Sequence, residues 1–207
     1  MSKKVRAHGI RMALAYDVEV RDKYGKLLSK RKGKNDPFVK NWILALQGFY
    51  KANPATDNSI TLTDASGNPQ TFLTGYGLAS QKLVPQSLIA GAGTDAFGVQ
   101  VGASDVAFSK TQTSLQSKIP NATLGYGAVT VEAVEDEDST SRTRIIRAFT
   151  NNTGSPQTVK EIGLVIANKY AAVQYYFLIA RDVLASPQTV PDGATLTVRY
   201  RLYISYA

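Results

Sequence analysis

Few residues in this sequence have the types and spacing that catalysis or metal binding requires. The densest cluster is the acidic run Glu135, Asp136, Glu137 and Asp138, and carboxylates of this kind are the ligands that Ca²⁺ prefers. Calcium loops, however, space their oxygens so that they converge, and they include a glycine at the bend, which this run lacks. We therefore interpret the run as a solvated turn between two strands, which opposes aggregation at the strand ends.

Other catalytic and cofactor signatures are incomplete. The segment GAGTDAFG lacks the Lys-Ser/Thr of a P-loop and the strand–glycine–helix spacing of a dinucleotide site. The sequence has no cysteine and one histidine, His8, which excludes thiol chemistry, multi-histidine metal centres and a Ser-His-Asp triad in the folded body. No pair of acids, such as Glu132 with Glu161, stands out as a general acid and base. We predict a protein that is not an enzyme and has no catalytic, cofactor or metal residues.

Positive charge is concentrated in the N-terminal quarter of the chain. Residues 1–51 contain 13 Lys or Arg and 4 Asp or Glu, whereas residues 52–207 contain 11 and 12. A basic extension on a neutral body predicts contact with an acidic protein surface or with nucleic acid. Nucleic acid is the weaker alternative, because the charge is interleaved with strand-forming residues and no RNA- or DNA-binding module is present.

Length and hydropathy indicate a folded protein without membrane contact. With 207 residues, 43% of them hydrophobic, the chain can bury about 70% of its unfolded surface. Its longest apolar runs, NWILALQGF and AAVQYYFLIA, are about half of the roughly 20 residues that span a bilayer. The N-terminus lacks the uninterrupted apolar core of a secretory signal. We therefore expect the protein to be made in the cytoplasm and used there or packaged from there.

Period-2 alternation dominates the elements that must position any functional residue. In ATLTVRYRLYISYA the residues from Leu196 to Tyr206 at even numbers fall on one face, which is typical of a half-buried strand. Residues 11–31 predict a β-hairpin that turns at Gly25. One helix is predicted over residues 37–51, because Asn35-Asp36-Pro37 places a capping side chain before a proline at the first helical position.

The middle of the chain has the least regular pattern. Residues 53–102 are rich in Gly, Ser, Thr, Pro, Asn and Gln, and they contain one predicted hairpin, SITLTDASGNPQTF. The segment SDVAFSKTQTSLQSKI predicts a short helical or irregular crossover. We expect the core strands to begin near Ala128.

Many short strands joined by Gly, Asn, Asp and Pro turns predict a mainly β protein. The expected fold is an antiparallel β-sandwich or jelly roll with one N-terminal helix and an N-terminal β-hairpin arm. We divide the chain into a basic arm and hairpin at residues 1–34 and a single β-sandwich domain at residues 35–207. That domain includes the helix at 37–51 and a loop-rich insertion at 53–102.

Six segments follow one another in a distinctive order over residues 36–206. They are DPFVKNWI, ITLTDASGN, VQVGASDVAFSKTQTSLQSKI, RAFTNNTGSPQTVKEIGLVI, LIARDVL and PDGATLTVRYRLYIS. This order resembles that of a group of structural proteins from tailed viruses of bacteria and archaea. In that group a VG-small-small-D segment precedes a strand that ends in F-T-N-N-T/S-G. A strand with the sequence V-K-E-I-G-L and a final strand with the sequence G-x-T-L-T-V-x-Y follow. The resemblance implies a virion component of the capsid, neck or tail, and it carries no catalytic residues.

We therefore expect a non-enzymatic virion structural protein that assembles as a symmetric homo-oligomer. Its expected partners are copies of itself and other virion proteins. The alternative is a carbohydrate- or receptor-binding β-sandwich module of a fibre or adhesin, whose contact surface would be the loops of residues 53–102 and surface tyrosines. The residues expected to contact partners are Lys3, Lys4, Arg6, Arg11, Phe38, Trp42, Phe49 and Tyr203.

Overall fold

The protein is mainly β, as predicted: 59% of the residues that the structure describes lie in strands, and these residues also contain one helix and form open antiparallel sheets. The computed structural model describes residues 10–33, 37–51, 59–73, 87–170 and 173–206. In chain order the elements are β1 (Ile10–Arg21), β2 (Leu27–Gly33), α1 (Lys40–Lys51), β3 (Ser59–Thr63), β4 (Pro69–Leu73), β5 (Gly98–Gly102), β6 (Leu124–Tyr126), β7 (Thr130–Val131), β8 (Glu135–Glu137), β9 (Thr140–Asn151), β10 (Gln157–Tyr170), β11 (Val173–Val190) and β12 (Thr195–Tyr206).

The described strands form three sheets. The seven-stranded sheet has the order β2-β1-β12-β9-β6, and β7 and β8 also pair with β9. The three-stranded sheet has the order β11-β10-β5, and β3 pairs with β4. The predicted N-terminal hairpin is confirmed by the pairing of β1 with β2. Strand β1 also pairs with β12 from Ile10 opposite Tyr206 to Arg21 opposite Thr195, so β1 is an inner strand of the sheet and not an extension outside it.

One apolar cluster takes side chains from both larger sheets. The predicted inward face of β12 is confirmed over its first half, where Leu196, Val198 and Tyr200 are fully buried, whereas Leu202 is only partly buried. The side chains of Leu14, Tyr16, Val18 and Val20 in β1 join them, because alternation along a strand places every second residue on the same face. The three-stranded sheet also supplies side chains of this cluster, which include Val99, Val101, Ile162, Leu164, Phe177 and Ile179.

The helix begins three residues later than the sequence predicts. Residues 37–39 are extended and lie along β11, where Phe38 forms a β-bridge with Ala180. The Val39 N–H donates to the Ile179 carbonyl at 3.1 Å, and the Arg181 N–H donates to the Pro37 carbonyl at 3.0 Å. The predicted proline start is therefore wrong, because these bonds to β11 keep the segment out of the helical conformation.

Two further predictions for the middle of the chain have opposite outcomes. The predicted hairpin is confirmed as β3 and β4, around a turn in which Asp64 accepts from the N–H groups of Ser66 and Asn68, both at 2.9 Å. The expectation that core strands begin near Ala128 is wrong, because all five residues of β5 are buried and precede it. Between β5 and β6 the described chain is irregular and contains no helix.

Candidate functional site

A row of alternating charges crosses the outer face of the seven-stranded sheet, the face turned away from the apolar cluster. Glu19 of β1 binds Lys30 of β2 on one side and Arg199 of β12 on the other, with 3.0 Å between Arg199 Nη1 and Glu19 Oε2. Asp17, two residues earlier, binds Arg201 at 3.1 Å. These five residues, which we call the charged ladder, share a face because side chains alternate along a strand and lie opposite one another across it.

The ladder keeps the Glu19 carboxylate ionised. The Glu19 side chain is only 7% exposed. The hydrogen bond from Lys30 lowers the pKa of Glu19, burial raises it, and Arg199 lowers it further, so that the pKa lies below its ordinary value. Glu19 is therefore a charged acceptor at neutral pH, held between two cations.

Arginines of β9 bind the acidic run, and its interpretation as a solvated turn is right only for its last residue: Asp136 to Asp138 are exposed, but Glu135 to Glu137 form a strand. Glu135 and Glu137 lie in β8, and the turn comprises only Asp138 and Ser139, because Glu137 pairs with Thr140. Arg142 donates to Glu135 at 2.8 Å and also to Glu137. The pairing of β8 with β9 explains this contact, because it sets Glu135 directly opposite Arg142.

Arg144, two residues after Arg142 on the same face of β9, belongs to the same cluster. It donates to Glu132 at 2.8 Å and to Glu135 at 2.9 Å. The hydrogen bond from Arg142 lowers the pKa of Glu135, burial opposes that shift, and Arg144 adds to it. Among the described residues, no group of His, Asp or Glu side chains could hold a metal ion.

A cavity of about 380 Å³ lies on the outer face, where the charged ladder meets the arginines of β9. Its lining residues come from β1, β2, β9 and β12. They are Ala15, Lys32, Gly33, Thr140, Arg142, Arg201 and Tyr203. The three charged residues of this lining are all cations. The carboxylates that bind the two arginines, those of Asp17, Glu135 and Glu137, are not part of the lining.

The two arginines of the cavity have donors left over. Arg142 uses Nε and Nη2 for its carboxylates, and Arg201 uses Nη2 for Asp17. Within the described part of the chain, neither Nη1 has an acceptor, and the buried Nε of Arg201 has none either. A guanidinium carries five N–H donors, so both side chains can bind an additional oxyanion without releasing their carboxylates.

The two edges of the seven-stranded sheet carry opposite charges. Strand β2 has a single strand neighbour among the described residues, and it presents three consecutive cations, Lys30, Arg31 and Lys32, all exposed. At the opposite side of the sheet, β9 is the one strand that β8 pairs with in the part of the chain that the structure describes, and β8 consists of Glu135, Asp136 and Glu137. Unpaired edge strands with charged side chains resist uncontrolled pairing but remain open to a matching partner.

Two buried arginines elsewhere in the molecule have structural roles. Arg147 of β9 is fully buried, and its guanidinium stacks on Tyr126 with 4.6 Å between the guanidinium carbon and the ring centre. It donates to five main-chain carbonyls, those of Gly91, Thr94, Phe97, Val99 and Gly127. Burial lowers the pKa of Arg147 to about 10, so the group stays charged at neutral pH and fixes the loop before β5.

Arg181 of β11 fixes the irregular segment between β5 and β6. Its Nε donates to Glu161 at 2.7 Å, and neither side chain has any exposed surface. Arg181 also donates to the Val106 carbonyl at 2.9 Å, while Glu161 accepts from the N–H groups of Gln116 and Ser117 at 3.1 and 2.7 Å. The pair therefore anchors this segment over the outer face of the three-stranded sheet.

The structure separates the residues that the sequence predicts as partner contacts. Phe38 and Trp42 stack with 5.1 Å between their ring centres and pack against the apolar cluster. Tyr203 lines the cavity on the outer face of the seven-stranded sheet. Arg11 lies in β1 opposite Ser205, and Phe49 lies in α1. Lys3, Lys4 and Arg6 lie outside the described residues, and a role in partner contact stays a prediction for all eight.

Three cations of the cavity, Lys32, Arg142 and Arg201, are absent from the sequence-based prediction. A signal for two of them was present. The spacing R-x-R occurs in β9, at Arg142 and Arg144, and again in β12, at Arg199 and Arg201. Arginines two residues apart share one face of a strand, so two such pairs on neighbouring strands predict a cationic surface.

Comparison of this chain with protein families, with curated proteins and with solved structures finds no match. The resemblance to virion structural proteins therefore stays a prediction. Among the described residues there is no helix of the length and apolarity that crossing a bilayer requires. The candidate site rests on its geometry: a cationic cavity, flanked by a basic edge strand and an acidic one.

Proposed function

We propose that this chain is a non-enzymatic structural protein that assembles with copies of itself into a symmetric oligomer, as a component of a virion. The observation that carries the proposal is the opposite charge of the two edges of one sheet. A basic edge of one copy and an acidic edge of the next form a head-to-tail contact, and such contacts close into rings when the rotation between copies permits it. The charge complementarity sets the orientation of that contact.

The proposed building block is a β-sandwich. Support comes from the apolar cluster, to which the seven-stranded sheet contributes Val18 and Phe149 and the three-stranded sheet contributes Ile162 and Phe177, all fully buried. Two open sheets that bury one face each against a common cluster are the usual layers of a sandwich. In this arrangement both edges of the seven-stranded sheet lie at the rim, where a neighbouring copy can reach them.

The edge contact has side chains suited to it on both strands. On β2, Arg31 is exposed and contacts no carboxylate among the described residues. On β8, Asp136 is exposed, and within the described chain it has no cationic partner. These two charges are therefore available to a neighbouring copy, whereas Glu135 and Glu137 are bound by Arg142.

The test is the oligomeric state of the full-length chain, measured by light scattering over a range of concentrations and by negative-stain imaging. We expect a defined oligomer. Arg31→Glu or Asp136→Lys alone should raise the dissociation constant at least tenfold, because each places like charges across the contact. The double variant Arg31→Glu/Asp136→Lys exchanges the signs of both edges and should restore assembly.

Lys169→Glu is the matched control, because Lys169 is an exposed residue of β10, outside the seven-stranded sheet. It makes the same charge change as Arg31→Glu and should leave assembly unchanged. Deletion of residues 1–9 separates the contribution of the basic N-terminus from that of the edges. A chain that stays monomeric at every concentration, alone and with virion proteins, would contradict the proposal and favour the carbohydrate- or receptor-binding module.

A further inference from the structure

We infer that the cavity on the outer face of the seven-stranded sheet is a binding site for a small organic oxyanion, a carboxylate or phosphate group carried on a polar scaffold. This inference goes beyond self-assembly and does not depend on it. The site is assembled from the β1–β2 hairpin and from β9 and β12, which are distant from that hairpin in sequence, with Lys32 from β2, Arg142 from β9 and Arg201 from β12 around it. It therefore exists only in the folded sheet.

The charge of the lining specifies an anion. Lys32, Arg142 and Arg201 are cations, and no carboxylate belongs to the lining. The arginines are held in place by carboxylates behind them, with 3.1 Å between Arg201 and Asp17. Such support fixes the direction of the guanidinium planes before a ligand arrives, which reduces the entropy that binding removes.

The donors that remain specify an oxyanion. Nη1 of Arg142 and Nη1 of Arg201 have no acceptor among the described residues, and these are the donors open to a ligand, because the Nε of Arg201 is buried. A guanidinium N–H without an acceptor is unfavourable where water is excluded. Carboxylate and phosphate oxygens accept from guanidinium groups with matching planar geometry, and a lysine adds a point charge to the same group.

The size and the neutral part of the lining indicate an organic ligand. A volume of about 380 Å³ lies within the usual range for small-molecule sites, roughly 300–1,000 Å³, and is far larger than one anionic group needs. Ala15 and Gly33 leave space in the cavity because they have little or no side chain. The Thr140 hydroxyl and the Tyr203 ring add a hydrogen-bonding group and an aromatic wall, which suit a scaffold with hydroxyl groups and an apolar face.

The test is titration of the full-length protein at low salt by calorimetry and by NMR, with glucuronate and glucose 6-phosphate as the organic anions. Inorganic phosphate and neutral glucose are the comparison ligands. We expect at least one organic anion to bind tenfold or more tightly than either comparison ligand, and its affinity to fall as salt is added. Inorganic phosphate that binds as tightly as the organic anions would contradict the requirement for an organic scaffold. Glucose that binds as tightly as the organic anions would contradict the requirement for an oxyanion.

Variants locate the binding to the cavity. Lys32→Gln removes one cation without breaking an ion pair among the described residues, and we expect it to weaken binding at least fivefold. Thr140→Val removes the hydroxyl group, and we expect it to weaken binding about threefold. Lys26→Gln is the matched control, because Lys26 is an exposed residue of the β1–β2 turn, outside the lining. The inference would be overturned if Lys32→Gln and Lys26→Gln weakened binding equally. It would also be overturned if neither organic anion bound.

Discussion

The outer faces of the two larger sheets use the same pairing of arginine with carboxylate for different purposes. On the three-stranded sheet, Arg181 and Glu161 have no exposed surface, because the irregular segment between β5 and β6 covers them. On the seven-stranded sheet, the side chains of Arg199 and Arg201 are 31% and 29% exposed. The covered pair organises a loop, whereas the exposed ladder leaves cations accessible to a ligand.

This difference determines how much each pair contributes to stability. Two charges removed from water must satisfy each other, so the loss of one partner leaves an uncompensated buried charge. Exposed pairs are screened by solvent and usually contribute about 0–1 kcal/mol each. We therefore expect substitutions in the covered pair to affect folding and substitutions in the ladder to affect mainly binding.

Arg181→Met is expected to have the largest effect, a loss of about 3–5 kcal/mol in the free energy of unfolding. It leaves the Glu161 carboxylate buried, with only the N–H groups of Gln116 and Ser117 as partners. The measurement is urea denaturation at neutral pH. Adding Glu161→Gln removes the buried charge and keeps an acceptor for one of those N–H groups, so the double variant should be more stable than Arg181→Met. A double variant that is less stable would contradict this account.

Arg147→Lys should have the next largest effect, a loss of about 2–4 kcal/mol. An ammonium group has three donors, whereas Arg147 donates to five carbonyls, so at least two of these carbonyls lose the donor that Arg147 provides, at about 1–3 kcal/mol for each one that is left buried without a partner. The charge is conserved, so the change tests hydrogen bonding and not electrostatics. Hydrogen exchange should show loss of protection in residues 91–99. Unchanged protection there would show that other contacts hold the loop.

Glu19→Gln should have the smallest effect, about 1 kcal/mol at neutral pH. The pKa of Glu19 in the folded protein lies below its ordinary value of 4.5, so the native state favours the carboxylate. Its contribution is therefore fully present above about pH 4.5 and is lost as the pH falls through the folded-state pKa. The measurement is urea denaturation from pH 7 to pH 3, in which the wild type and Glu19→Gln should converge at low pH. A difference that stays constant would mean that Glu19 acts through packing.

Patterns that are local in sequence predicted much of the fold. The alternation in β12 predicted its buried face over Leu196, Val198 and Tyr200, and the turn at Gly25 predicted the β1–β2 hairpin. The helix start was predicted incorrectly, because a cap and a proline are local signals, whereas the bonds of residues 37–39 to β11 connect segments about 140 residues apart. Tertiary contacts of this kind override local preference.

The cavity could be predicted only in part. The R-x-R spacing in β9 and β12 indicates a cationic face. The proximity of Arg142 and Arg201 to Lys32, however, depends on the strand order β2-β1-β12-β9, in which strands from the two ends of the chain are neighbours. Nothing in the sequence near Arg147 distinguishes a buried arginine from an exposed one, because its partners are main-chain carbonyls that every residue possesses. Arg181 has a side-chain partner, Glu161, but that residue lies 20 positions away in another strand.

The binding of Arg147 to main-chain carbonyls alone has a consequence for how this protein can change. A contact with backbone oxygens does not depend on which side chains the loop carries. The exposed positions 91 and 92 can therefore be exchanged while the loop keeps its shape, whereas Gly93, with a φ of 77°, and Arg147 cannot vary without loss of that shape. The loop is thus a suitable place to introduce peptide epitopes or labels, since one distant residue preserves its conformation.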